Sequence, residues 1–137
     1  MSYLIDTNVL SETRRRRPAP SVAEWIAATP ADRLYVSVLS LGEIEQGITR
    51  IRNRGDQKQA AALERWLRGI EDGFAERIMP VTLRIAAEWG RQRLERPIPV
   101  IDALIAATAR VHGWTVVSRN AKDFDRAGVP VHNPFSD

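Results

Sequence analysis

Three carboxylates stand where solvated surface carboxylates usually do not. Asp6 ends the apolar run Tyr3-Leu4-Ile5, Glu43 lies just after a second β-like run, and Asp102 is set inside Val100-Ile101-Asp102-Ala103-Leu104-Ile105-Ala106-Ala107. A charged carboxylate left unpaired in apolar surroundings costs several kcal/mol, so each must be protonated, paired with a base or bound to a cation. No Lys or Arg is adjacent in sequence to any of the three. The chain has no cysteine and only two histidines, His112 and His132, which excludes thiolate and His-rich metal sites and a Cys nucleophile. Carboxylates gathered without His or Cys suit a hard cation held by oxygens, Mg²⁺ or Mn²⁺. Such an ion can polarise a phosphodiester and activate water.

Each carboxylate also has a structural reading. Asp6 precedes the apolar residues of a helix beginning near Val9 and is a good N-cap. Ser40 and Glu43 have the spacing of a capping box, and Asp102 lies near a helix start, where the dipole favours negative charge. Their common placement distinguishes the two readings. In a parallel α/β sheet, strand ends and the helices that follow them gather along one edge, where ligands bind. A fourth ligand is expected after the strand Trp114–Ser118, from Asn120 or Asp123, with Ser118 and Asn8 in support. The run Arg14-Arg15-Arg16-Arg17 and Arg119 are candidate phosphate contacts; a solvated loop is the alternative for the run.

The elements that must position these groups alternate. Short apolar, β-branched runs at 3–5, 34–38, 77–81 and 114–118 are separated by helical periodicity. Ser21 and Glu24 suggest a capping box for a helix burying Val22, Trp25 and Ile26. Leu41, Ile44, Ile48 and Ile51, then Leu63, Trp66, Leu67 and Ile70, predict two helices broken at Gly55, a hairpin able to protrude as a dimer or partner surface. Residues 82–96 read as one helix with Leu83, Ala86, Gly90 and Leu94 on its apolar face. Residues 100–111 read as an Ala-rich helix closed by Gly113, and 129–131 as a short edge strand. This order predicts a doubly wound parallel sheet.

At 137 residues, with 44% hydrophobic and 27% charged residues, the chain is expected to be a single domain over 1–137 with a proper core. The net charge of +3 is compatible with a polyanionic partner without demanding one. No apolar run approaches the roughly 18 residues of a membrane span, so a cytoplasmic protein without membrane contact is expected. There is no glycine-rich phosphate loop, and neither histidine is placed for a Ser-His-Asp triad. The four tryptophans read as packing residues.

Leu4-Ile5-Asp6-Thr7-Asn8, Glu43, Asp102-Ala103-Leu104-Ile105-Ala106-Ala107, Ser118-Arg119-Asn120 and the tail Asn133-Pro134-Phe135 together resemble the PIN-domain ribonucleases, most of all the VapC/FitB-type toxins of toxin–antitoxin pairs. The resemblance spans essentially the whole chain. It implies an α/β/α sandwich with a central parallel sheet of four to five strands, and Mg²⁺- or Mn²⁺-dependent endonucleolytic cleavage of RNA. The family's acidic positions fall on Asp6, Glu43 and Asp102, as catalytic and metal-binding residues. Its fourth falls on Asn120, where this chain departs from the acidic pattern; either Asn120 coordinates or Asp123 substitutes. The resemblance also implies a cognate antitoxin of the VapB/FitA-like, DNA-binding kind, a homodimer and a higher toxin–antitoxin assembly. The rival readings are a non-catalytic RNA- or protein-binding module on the same fold, and a receiver-type phosphoacceptor, which usually needs adjacent early acidic residues that Asp6 lacks.

Overall fold

The computed structural model describes residues 1–135. Five short strands, β1 (Tyr3–Ile5), β2 (Leu34–Ser37), β3 (Ile78–Met79), β4 (Thr115–Val117) and β5 (Val131–His132), form one sheet in the order β3-β2-β1-β4-β5. All four pairings are parallel. The chain winds outward from β1 to β3, then crosses back to build β4 and β5 on the other side. The order therefore reverses between β1 and β4, and the crevice beyond their carboxyl ends is where this topology places a ligand. Ile5 is in register with both Val36 and Val117, which brings Asp6 level with Ser37 and Ser118.

Alternation along the strands sorts the core into two layers. Ile5, Val36 and Val117 face one way, onto α1 (Thr7–Glu12), α2 (Pro20–Ala28), α3 (Val38–Asn53) and α4 (Gln57–Phe74), through Val9, Val22, Ile48 and Leu67. Leu4 and Val116 face the other way, onto α6 (Val100–His112) and α7 (Ala121–Arg126), through Ile105, Ala106 and Phe124. The α/β/α sandwich expected from sequence is the observed fold.

Several local expectations are corrected. The helix expected over 82–96 is only α5 (Leu83–Gly90). Thr82 caps it by accepting from the Ile85 N–H, and Gly90, followed by a charged segment and two prolines, ends it. Its buried residue is Ile85, whereas Leu83 is 87% exposed. The Ser21–Glu24 capping box does not form: α2 begins at Pro20, which fits the first helical turn, and the Ser21 hydroxyl has no partner. The α3–α4 hairpin turns at Gly55, with φ +93°, but lies on the sheet, its Ile44, Ile48, Ala60 and Leu67 buried with Val36. Gly113, with φ +74°, closes α6 as expected.

Candidate active site

The site is built from four chain segments. Asp6 follows β1 and is 4% exposed. Its Oδ1 accepts from the Thr7 N–H at 2.8 Å, so it caps α1; its Oδ2 accepts from the Ser118 hydroxyl at 2.8 Å and from Asn8 Nδ2 at 3.3 Å. Cap and site residue are thus the same side chain, each role taking one oxygen.

Glu43 lies in the second turn of α3, not at its start. The helix begins at Val38 and is capped by Ser37, whose hydroxyl accepts from the Leu39 N–H. Ser40 is therefore inside the helix with an unpartnered hydroxyl, and the Ser40–Glu43 capping box is not made. Glu43 instead accepts from the Thr7 hydroxyl at 2.6 Å. Thr7 thereby joins the element carrying Asp6 to the one carrying Glu43. Sequence reasoning gave it no role of its own; a hydroxyl directly after the strand-end Asp was the available signal.

Asp102 sits in the first turn of α6, half-buried. Its Oδ2 accepts from Asn120 Nδ2 at 3.1 Å, and the same amide nitrogen donates to Asp123 Oδ2 at 2.9 Å. The Asn120 N–H donates to Ser118 Oγ at 2.9 Å. An unbroken path of hydrogen bonds therefore runs from Asp6 through Ser118 and Asn120 to Asp102 and Asp123. Asn8 closes it from the other side, donating to Ser118 Oγ at 3.2 Å and accepting from the Arg119 N–H at 3.1 Å.

The electrostatics follow from this crowding. Burial pushes the Asp6 carboxyl up, against the hydrogen bonds from Ser118 and Thr7, and the charge of Glu43 adds to the rise. Burial, then the charges of Asp6 and Glu43, push Asp102 up to about 6, with Asn120 opposing and Asp123 adding. The carboxylates repel one another in a setting that a cation would relieve. The donor set is all oxygen, suited to Mg²⁺ or Mn²⁺. Among the described residues no three His, Cys, Asp or Glu side chains are drawn into a closed cage.

The arginines divide. Arg119 is fixed, its guanidinium 3.8 Å over the Phe135 ring. Arg14 lines a cavity of about 140 Å³ with Thr7, Ser11, Glu43 and Trp66. Arg15 pairs with Glu12 at 3.4 Å, and Arg16 and Arg17 are exposed. Glu12, not singled out from sequence, is 7% exposed and accepts from the Ala19 N–H at 2.8 Å, closing the loop that carries the arginine run. Neither histidine reaches the carboxylates: His112 stacks on Trp114 and His132 packs near Trp25.

A family model for the PIN domain matches residues 3–130. The chain belongs to the PIN-domain family. This PIN domain is 33% identical to Toxin FitB of Neisseria gonorrhoeae, over 98% of this chain and 99% of that protein. It is 28% identical to VapC ribonuclease Y4jK of Sinorhizobium fredii, over 96% of each. Among solved structures it is similar to FitAcB from Neisseria gonorrhoeae, with a TM-score of 0.87 at 33% identity over 96% of this chain and 97% of that one. A toxin–antitoxin complex from Klebsiella pneumoniae gives a TM-score of 0.66 at 28% identity, over 99% of this chain and 100% of that one. No helix among the described residues is long and apolar enough to cross a membrane.

Proposed function

We propose that this PIN domain is a Mg²⁺- or Mn²⁺-dependent endoribonuclease, the toxin of a toxin–antitoxin pair, acting as a single domain in the cytoplasm. One observation carries the reading. Asp6, Glu43 and Asp102, from three different segments, stand close enough beside the crevice beyond β1 and β4 to act on one another, and burial, then the charges of the other two, push Asp102 up to about 6. The naming of similar proteins as FitB toxin and VapC ribonuclease supports the substrate class. The likeness to a toxin–antitoxin complex supports an antitoxin partner, of the DNA-binding VapB/FitA-like kind. A homodimer is part of the proposal.

Asp6 and Asp102 would hold the ion, with Glu43 binding it or orienting the attacking water. When bound, the ion would polarise the phosphodiester, lower the pKa of water and stabilise the leaving oxygen. The chain's own contribution is orientation. Ser118 and Asn8 hold Oδ2 of Asp6, and the Thr7 hydroxyl holds Glu43. Asn120 and Asp123 complete the far corner beside Asp102. Arg119 and the Arg14–Arg17 loop would receive phosphates on the α1 side.

The test is cleavage of single-stranded RNA by the purified chain, free of any partner. Activity should require Mn²⁺ or Mg²⁺, vanish with chelator and be abolished by Asp6→Asn. RNA binding without cleavage, and no metal affinity by calorimetry, would make the chain a binding module instead.

A further inference from the structure

A second basic surface lies on the opposite helical layer from the arginine run. The segment joining α5 to α6 carries Arg91, Arg93 and Arg96, and it faces Arg110 of α6 and Arg126 of α7. A cavity of about 410 Å³ is lined by Arg93, Leu94, Glu95, Arg96 and Arg126. An adjoining one of about 280 Å³ shares Arg93 and Arg126 and adds Arg91 and Arg110. Glu88 is engaged by Arg91 and Arg110, at 3.7 and 3.5 Å. Among the described residues, Arg93 and Arg96 form no ion pair, so positive charge is left over at the mouth.

Arg126 ties this cavity to the acidic site. Its Nη1 donates to Asp123 Oδ1 at 3.0 Å and its Nη2 to the Arg96 carbonyl at 3.0 Å. Asp123 in turn accepts from the Asn120 amide that also holds Asp102. Two of the five donors of Arg126 orient the fork, and the rest remain for a ligand. Guanidinium groups are weakly hydrated and match phosphate oxygens in pairs. An acidic groove repels the phosphate it acts on, so a strand entering it needs cationic anchors on its flanks. The Arg14–Arg17 loop and Arg119 would serve one flank, and this cavity the other.

We propose that the cavity between the α5–α6 segment and α7, lined by Arg93, Arg96 and Arg126, binds a backbone phosphate of the RNA strand beside the scissile bond. The proposal rests on the ribonuclease reading. Arg93 and Arg96 touch none of the carboxylates, so the double variant R93A/R96A separates anchoring from chemistry. In a D6N background, it should weaken binding of a single-stranded RNA long enough to span both flanks by roughly tenfold. The slope of log affinity against log salt should shrink by about 0.7, the share of one phosphate contact on a single strand. With Asp6 intact, R93A/R96A should raise KM by a similar factor at unchanged kcat, and R93K/R96K should recover most of the loss. Unchanged affinity and salt slope while the wild type cleaves RNA would overturn this proposal alone. So would a fall in kcat without a change in KM, or a defect confined to binding a protein partner. If the D6N parent binds no RNA and the wild type cleaves none, both readings fall together.

Discussion

Asn120 Nδ2 donates to Asp102 Oδ2 across 3.1 Å. A neutral amide thus stands at the corner where the resemblance had implied a carboxylate. It partly offsets the repulsion on Asp102 by giving it a donor in place of a further negative charge. Replacing Asn120 by Asp should reverse this. The metal-free N120D protein should melt at a lower temperature, because Asp102 and Asp123 lose a donor and gain a like-charged neighbour. Its Mn²⁺ affinity should rise, by roughly tenfold, since an added carboxylate favours the cation. Calorimetric titration of both proteins checks it, and weaker Mn²⁺ binding by N120D would exclude the amide as the weak corner.

Ser118 is fully buried, and its hydroxyl serves Asp6, Asn8 and the Asn120 N–H together. Ser118→Ala removes all three contacts without altering the carboxylates. Support of a ligand at this distance is commonly worth 10–100-fold, so Mn²⁺ affinity and cleavage rate should both fall by about that factor. Ser118→Thr, which keeps the hydroxyl, should fall less if the extra methyl is accommodated. Parallel melting curves separate a positioning loss from misfolding.

Asp102 gives a pH signature. Its carboxyl in the folded protein titrates near 6, above the ordinary carboxylate range, so between these values the folded state binds a proton that the unfolded chain does not. That contribution is fully present below the unfolded value and is lost as pH rises through about 6. The metal-free protein should therefore gain stability on moving from pH 7 toward pH 4, relative to D102N. Because Asp102 is only half-buried, solvent screening limits the difference to about 1 kcal/mol. Excess Mn²⁺ should invert the trend, since proton and cation compete for the same oxygens. The comparison with D102N matters: Glu12 is shifted down, chiefly by the Ala19 N–H, and loses its contribution on acidification.

The Glu12 contact has its own test. With its carboxylate holding the Ala19 N–H, the segment carrying Arg14–Arg17 is a closed loop. Glu12→Ala should open it and raise the rate of limited tryptic cleavage within the run several-fold, with little change elsewhere. Equal cleavage rates would show that the prolines at 18 and 20 alone shape the loop.

The sheet was legible because its strands are short, apolar and β-branched, and Asp6 was legible because a charge ending such a run is conspicuous. Less was legible wherever two local signals competed. Ser40 and Glu43 read as a capping box, whereas α3 begins earlier, at Val38, with Ser37 as its cap. On α5 the choice of buried face turned on Ile85 against Leu83, which differ by register alone; the Thr82 cap fixes that register. Asn120 and Asp123 could not be ranked from sequence, which does not show how the two are joined. One amide joins Asp123 to Asp102, a relation that depends on the turn into α7. Glu12 and Arg126 were passed over because charges in polar segments carry no sequence signal of what they hold.

Asp6 and Ser118, joined at 2.8 Å, are 112 positions apart, and β1 lies between β2 and β4. Asp6 acquires its supporting hydroxyl only once Ser118 has been synthesised and β4 has docked beside β1. Contacts this distant in sequence form late in folding. A nascent or truncated chain therefore displays Asp6 without its support. For a protein read as an RNA-cutting enzyme, made on a machine built of RNA, the arrangement proposed for the site is withheld until Ser118 has been synthesised.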